Sequence, residues 1–284
     1  MNFKKTMVFL GCAVLMGAAS LSAQIKVKTG EKIAFLGDSI TQQGHNLPTG
    51  YVNMVRIGLK VNGIQTEVVK AGISGNKSND MLNRLERDVI SKKPQIMTLS
   101  CGVNDVWHGV RGRGIKLEDY KKNITNIVEK ALAAKIQVYI MTATMIGEDQ
   151  KNANNQKLVA YNEFLRQLAK EKNLPLIDLN AIMQKDVAAM RAKYPGLNTT
   201  FVTTDGVHMA PLGNAMMAKA ILKAFGLNDS QIAKAEAEWL KLKWSVQGVG
   251  NFTVKDFNTI QEKLWAKNTT MRRYLNEKVQ ELLK

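Results

Sequence analysis

Apolar residues fall along this chain in two alternating spacings. Short, nearly continuous apolar runs at Lys32 to Gly37, Thr66 to Lys70, Gln95 to Ser100, Ile136 to Thr142 and Leu174 to Asp178 predict five β-strands. Between and after them, apolar positions recur every three or four residues near Tyr51 to Val61, Asn79 to Ile90, Leu117 to Ala134, Gln156 to Lys170 and Leu212 to Phe225, predicting helices. Strand and helix in alternation imply parallel crossovers and so an α/β sandwich. The run Ile33-Ala34-Phe35-Leu36 has no polar face, which suits strands covered by helices on both sides.

Beyond Phe225 the pattern changes. Lys234 to Lys243 and Asp256 to Lys284 read as helices around a Gly248-Val249-Gly250 interruption. Phe257, Ile260, Leu264, Met271, Leu275, Val279 and Leu282 form one stripe broken by Asn268, and such a stripe is expected to pack on the parent domain. The expected organisation is therefore an α/β domain over residues 24–225 and a helical extension over 226–284. No repeat of 20 to 50 residues is visible.

At the start, Lys4 and Lys5 precede an apolar stretch from Met7 to Ala19 that is short for a bilayer span, and Ser20-Leu21-Ser22-Ala23 follows. This predicts a secretory signal over residues 1–23, cut after Ala23, with export to a periplasm or the medium and no membrane span afterwards. The cut removes Cys12 and leaves Cys101 without a disulfide partner, so packing must hold the domain.

With 45% hydrophobic and 23% charged residues over 284 positions, the chain is globular and long enough to bury one large core. Lys and Arg outnumber Asp and Glu by 40 to 24, for a formal charge of +16. The excess is spread along the chain, and no helix-turn-helix, zinc finger or aromatic RNA motif accompanies it. No nucleic-acid partner is expected; a diffuse basic surface also suits acidic glycans.

The chemistry lies at predicted strand ends, where open α/β sheets place ligands. Gly37-Asp38-Ser39 follows the first strand. A serine hydroxyl needs a positioned base to act as a nucleophile, and otherwise serves as a turn or cap residue. Asp205-Gly206-Val207-His208 precedes the Leu212 helix, and on a compact turn its spacing can bring Asp205 beside His208. The only other histidines are His45 and His108. Gly72 permits close backbone approach and Asn104 carries an amide, so both can donate to a developing oxyanion, with the Ser39 N–H. There is no P-loop or G-x-G-x-x-G pattern, which excludes the common nucleotide sites. Three scattered histidines and one remaining cysteine offer no metal pattern, and no cofactor is expected.

Taken in order, Gly37-Asp38-Ser39, Gly72, Gly102-Val103-Asn104-Asp105 and Asp205-Gly206-Val207-His208 resemble the four blocks of the SGNH hydrolases, also called GDSL esterases and lipases. The resemblance spans about Lys32 to Phe225. It implies a flavodoxin-like α/β/α sandwich with a five-stranded parallel sheet, Ser39 as nucleophile, His208 as base and Asp205 as its orienter. It also implies an oxyanion hole from Ser39, Gly72 and Asn104. Lys70 stands where many relatives carry Asn. Asp105 reads as a structural partner of nearby loops. His45, Asn46, Trp107 and His108 serve either packing or substrate contact, and Gly109 to Gly114, with Arg111 and Arg113, forms a basic rim.

The implied activity is that of an exported serine esterase acting on short acyl esters, foremost O-acetyl groups of carbohydrates, with a small-molecule or glycan ester as substrate. Lysophospholipase or aryl esterase activity is the alternative within the family. A non-catalytic carbohydrate-binding or surface interaction protein is the alternative outside it.

Overall fold

A computed structural model describes residues 25–246 and 249–282. The expected signal over residues 1–23, with Cys12, lies outside the described residues, as does Gly248 of the predicted interruption.

The sheet strands are β1 Lys32–Gly37, β2 Glu67–Gly72, β3 Ile96–Ser100, β4 Gln137–Met141 and β5 Leu176–Ile177. The helices around them are α1 Ser39–Asn46, α2 Tyr51–Val61, α3 Ser78–Asp88, α4 Val103–Trp107, α5 Leu117–Ala133, α6 Ala153–Glu171, α7 Leu179–Lys193 and α8 Pro211–Ala224. Then follow α9 Asp229–Trp239, the hairpin of β6 Lys243–Val246 and β7 Gly250–Thr253, α10 Val254–Ala266 and α11 Met271–Leu282.

All five sheet strands are parallel, in the order β2-β1-β3-β4-β5, the flavodoxin-like arrangement. From β1 the chain crosses outward to β2, then returns past β1 to β3, so the winding reverses between β1 and β3. Ligands of such sheets bind at the carboxyl ends beside this reversal. Every residue of β3 is buried, as are the last five of β1, because helices cover both faces. Helix α2 packs with α8 and α9 in one layer, and α5 packs with α3 and α6 in another.

The strand predictions differ from the structure mainly at their ends. The second strand runs two residues further, to Gly72, and the fifth is reduced to Leu176–Ile177 at the sheet edge. Helices α1, α4 and α7 were not anticipated: α1 reads Ser-Ile-Thr-Gln-Gln-Gly-His-Asn and α4 has only five residues, so neither shows a helical apolar period.

Corrections are larger after Phe225. The helix expected over Lys234 to Lys243 is the second half of α9, which ends at Trp239 so that β6 can start at Lys243. Trp239 Nε1 donates to Met54 O at 2.9 Å, tying α9 to α2. The helix expected from Asp256 onward divides between α10 and α11, where Asn268 takes a left-handed φ of 52°. In α10 the apolar stripe packs, with Phe257 and Leu264 buried, but it is Trp265, outside the stripe, that lies edge-on to Phe201 of the α/β domain at 5.0 Å. In α11 the stripe does not pack: no residue there is buried, and Val279 and Leu282 are 52% and 86% exposed.

Candidate active site

Strand β1 delivers Ser39 to the carboxyl edge of the sheet, where it begins α1 and keeps 8% exposure. Asp38 caps that helix, its Oδ1 accepting from Ile40 N at 2.9 Å. Burial pushes the Asp38 carboxyl up to about 6; the Ile40 N–H opposes this, Asp105 adds to it and His208 works against it. Beneath, the buried Arg84 donates from Nη2 to Gly37 O at 2.9 Å and from Nε to Asn76 Oδ1 at 2.6 Å. One guanidinium thus fixes the backbone before Asp38 and the loop after β2.

His208 arrives from the far end of the chain on a tight hairpin. Thr203 and Met209 pair across it, and Thr204 N donates to His208 O at 2.8 Å. Gly206 turns the tip with φ of 95°, a conformation that a side chain would strain. Within this turn Asp205 Oδ1 accepts from Val207 N at 2.9 Å and His208 N at 2.8 Å, while Oδ2 lies 2.6 Å from His208 Nδ1. His208 Nε2 lies 2.9 Å from Ser39 Oγ. A proton on Nδ1, facing the carboxylate, leaves Nε2 as the acceptor toward the hydroxyl. Burial acts to raise the Asp205 carboxyl, but the hydrogen bonds from the His208 ring and from the backbone of His208 and Val207 outweigh it and hold it below 3.8.

The hairpin is anchored by a residue that sequence reasoning missed. Glu148, 6% exposed, accepts from Phe201 N at 2.7 Å, Val202 N at 2.9 Å, Thr203 N at 2.9 Å and Thr203 Oγ1 at 2.7 Å. Thr203 Oγ1 in turn accepts from Gly206 N at 3.1 Å, and Gly147 N donates to Gly206 O at 2.7 Å. On the other flank Asn214 Nδ2 donates to Met209 O at 3.1 Å and its Oδ1 accepts from Tyr51 N at 3.0 Å. Glu148 follows β4, a strand-end position of the kind that carries sites, yet its partners lie more than fifty residues on and nothing near it in sequence signals them.

Gly72 ends β2 in register with Gly37. A Cβ there would collide with the Thr41–Gln42 backbone, so only glycine lets β2 approach α1 this closely. Asn104 is buried in α4, one of its amide protons donated to Asn76 O at 3.1 Å; an amide has a second proton to give. Asp105 accepts from Ser78 N at 3.0 Å and from Cys101 Sγ at 3.4 Å, which ties α4 to the start of α3. Burial raises both the Asp105 carboxyl and the Cys101 thiol.

His45 and Asn46 close α1, with His45 Nδ1 3.0 Å from Asn46 Oδ1 and the His45 ring against the Gly72 backbone. Trp107, 37% exposed, closes α4 one turn after Asn104 with its ring 5.9 Å from that of His108. The backbone from His108 to Arg111 forms a short 3-10 turn, and Arg113 beyond it is exposed. Among the described residues no group of three or more His, Cys, Asp or Glu side chains could hold a metal ion, and no helix is long and apolar enough to cross a membrane.

The carboxylate, imidazole and hydroxyl therefore form one hydrogen-bonded chain at the sheet's reversal point, an arrangement able to draw a proton from the hydroxyl as it attacks. The family model for GDSL-like lipases and acylhydrolases matches residues 35–216. An acetylxylan esterase from Geobacillus stearothermophilus is 28% identical over 221 residues, covering 71% of this chain and 97% of its own. The solved structure of that organism's Axe2, an acetylxylan esterase, superposes with a TM-score of 0.63 at 27% identity over 72% of this chain and 97% of Axe2. That of the acetyl xylan esterase AlAXEase gives 0.62 at 36% identity over 68% and 98%. Solved catalytic mutants of Axe2 replace a serine, an aspartate and a histidine.

Proposed function

This chain belongs to the GDSL-like lipase/acylhydrolase family and is a carboxylic ester hydrolase, and from that premise we propose that it is an exported carbohydrate O-acetylesterase using Ser39, His208 and Asp205. The hydrogen-bonded chain from Asp205 through His208 to Ser39 carries this reading.

Ser39 Oγ attacks the ester carbonyl carbon while its proton passes to His208 Nε2. Asp205 holds the Nδ1 proton and stabilises the imidazolium so formed. The carbonyl oxygen, now anionic, receives the N–H groups of Ser39 and Gly72 and the free amide proton of Asn104. Collapse breaks the bond to the leaving alcohol, which takes the proton from His208 Nε2. Water then attacks the acyl-serine, giving its proton to the same nitrogen, and the carboxylic acid leaves as Ser39 recovers its hydrogen.

Carbohydrate acetyl esters are favoured because the relatives aligned over 97–98% of their own length include acetylxylan esterases. Export rests on the basic, apolar and small-residue succession of the first 23 positions. Hydrolysis of p-nitrophenyl acetate and of acetylated xylan tests the reading. The wild type is expected to release acetate from both, and Ser39→Ala to lose at least about a thousandfold in kcat. Undiminished turnover by Ser39→Ala would reject the nucleophile.

A further inference from the structure

A groove of about 630 Å³ opens beside the His208 hairpin, between the segment leading into that hairpin and the chain after α9. Its inner wall includes Asn198 and Thr204; its outer wall includes Trp244 of β6, Phe257 and Gln261 of α10, and Arg272 of α11. The outer wall lies beyond residues 35–216, the span of the family match, so the groove is built jointly by the matched domain and the segment that follows it.

Two observations set its relation to the reacting atoms. Thr204 stands directly across the hairpin from His208, since Thr203 pairs with Met209 and Thr204 N donates to His208 O. The Thr204 hydroxyl also donates to His208 O at 3.2 Å, so this groove residue touches the main chain of the histidine. The α10 part of the outer wall is also seated on the α/β domain, because Trp265 of the same helix as Phe257 and Gln261 is buried against Phe201.

The lining chemistry selects the ligand. Trp244 is partly exposed, with its ring braced 6.2 Å from that of the buried Phe257. Around it stand two primary amides, threonine hydroxyls and one guanidinium; among the described residues the wall holds no carboxylate. A ligand with apolar ring faces and many hydroxyls matches an indole platform edged by amides. An acyl chain would leave those amides and hydroxyls unpaired. The volume lies within the usual range for a small-molecule site.

We propose that this groove is an accessory sugar-binding subsite, holding the oligosaccharide that flanks the acetylated residue while the ester lies at Ser39. It rests on the esterase reading above and deepens it: substrate choice would be set in part by Trp244, Gln261 and Arg272. Kinetics of wild type, Trp244→Ala and Gln261→Ala on an acetylated xylo-oligosaccharide and on p-nitrophenyl acetate test it. The expected result is a fall of about tenfold in kcat/KM on the oligosaccharide, carried by KM, with p-nitrophenyl acetate unaffected. Equal falls on both substrates, or none on the oligosaccharide, would overturn the proposal. So would a preference for long-chain esters that Trp244→Ala abolishes, since that assigns the groove to an acyl chain. Calorimetric titration of Ser39→Ala with unacetylated xylo-oligosaccharide reads the groove without turnover. Saturable binding that weakens about tenfold when Gln261→Ala is added supports it, and absent or unchanged binding contradicts it. If the wild type hydrolyses neither ester, the esterase reading fails while this titration still decides the groove.

Discussion

Ser39 and His208 meet across 2.9 Å, yet they are held there by opposite means. The serine is fixed chiefly by main chain, with the Asp38 cap and the Arg84 guanidinium in support: a buried parallel strand runs into a capped helix, and Gly72 is pressed against that helix. The histidine is fixed by side chains: Asp205 inside its turn, Glu148 beneath it and Asn214 beside it. Their carboxylates show the same contrast. Asp38, walled in by the fold, is pushed up to about 6, whereas Asp205, half exposed and fed by three hydrogen bonds, is held low. The serine side depends on the sheet; the histidine side depends on a few removable groups.

The largest effect should follow from striking the histidine side at its centre. Asp205→Asn preserves the size of the side chain but can donate to Nδ1, which places the ring's single proton on Nε2 facing Ser39, and kcat should fall by about 10⁴ with folding intact. Circular dichroism together with acetyl-ester kinetics checks this; a loss under tenfold would mean that His208 needs no such orientation.

Glu148→Gln probes the support one layer below. The amide can keep the three donors at Oε1 but presents N–H to Phe201 N, so a drop of about 1–3 kcal/mol in urea-unfolding stability is expected. Loosening of the hairpin should also cut kcat by up to about a hundredfold, with KM for p-nitrophenyl acetate unchanged. A stability loss without any change in kcat would make Glu148 a fold residue alone.

The smallest effect lies on the serine side and shows as a pH dependence. Because burial raises Asp38, its contribution to stability is complete below about 3.8 and disappears as pH rises through about 6. Asp205 has the opposite sign: its contribution is present above 3.8 and is lost as pH falls through its lowered value. Asp38→Asn should therefore flatten the stability profile between about pH 4 and 6 and leave its acid limb in place, measured as the unfolding midpoint against pH. An unaltered profile would place the Asp38 carboxylate in contact with water.

Much of this arrangement was legible from the sequence because it is encoded locally. Apolar runs such as Ile33 to Leu36 mark strands buried on both faces, and strand-helix alternation leads to a parallel sheet. Gly37-Asp38-Ser39 and Asp205 to His208 are short motifs in which Asp38 reaches Ile40 and Asp205 reaches His208 locally, whereas the contact of His208 with Ser39 spans the chain and was implied only by the resemblance. Glu148 and Arg84 were hidden because each serves segments distant in sequence, and a buried charge resembles a surface one until its partners are known. Likewise β6 and β7 were missed because four-residue strands pairing only with each other show little periodicity, and α11 keeps an apolar stripe without burying it.

Activation of the Ser39 hydroxyl by His208 is tested most directly by a fluorophosphonate reagent, which bonds covalently to an activated serine. Intact mass and peptide mapping should show one adduct per chain, on Ser39, with labelling of His208→Ala at least about a hundredfold slower. An unlabelled wild type, an adduct on another residue, or labelling of His208→Ala at the wild-type rate would contradict the account.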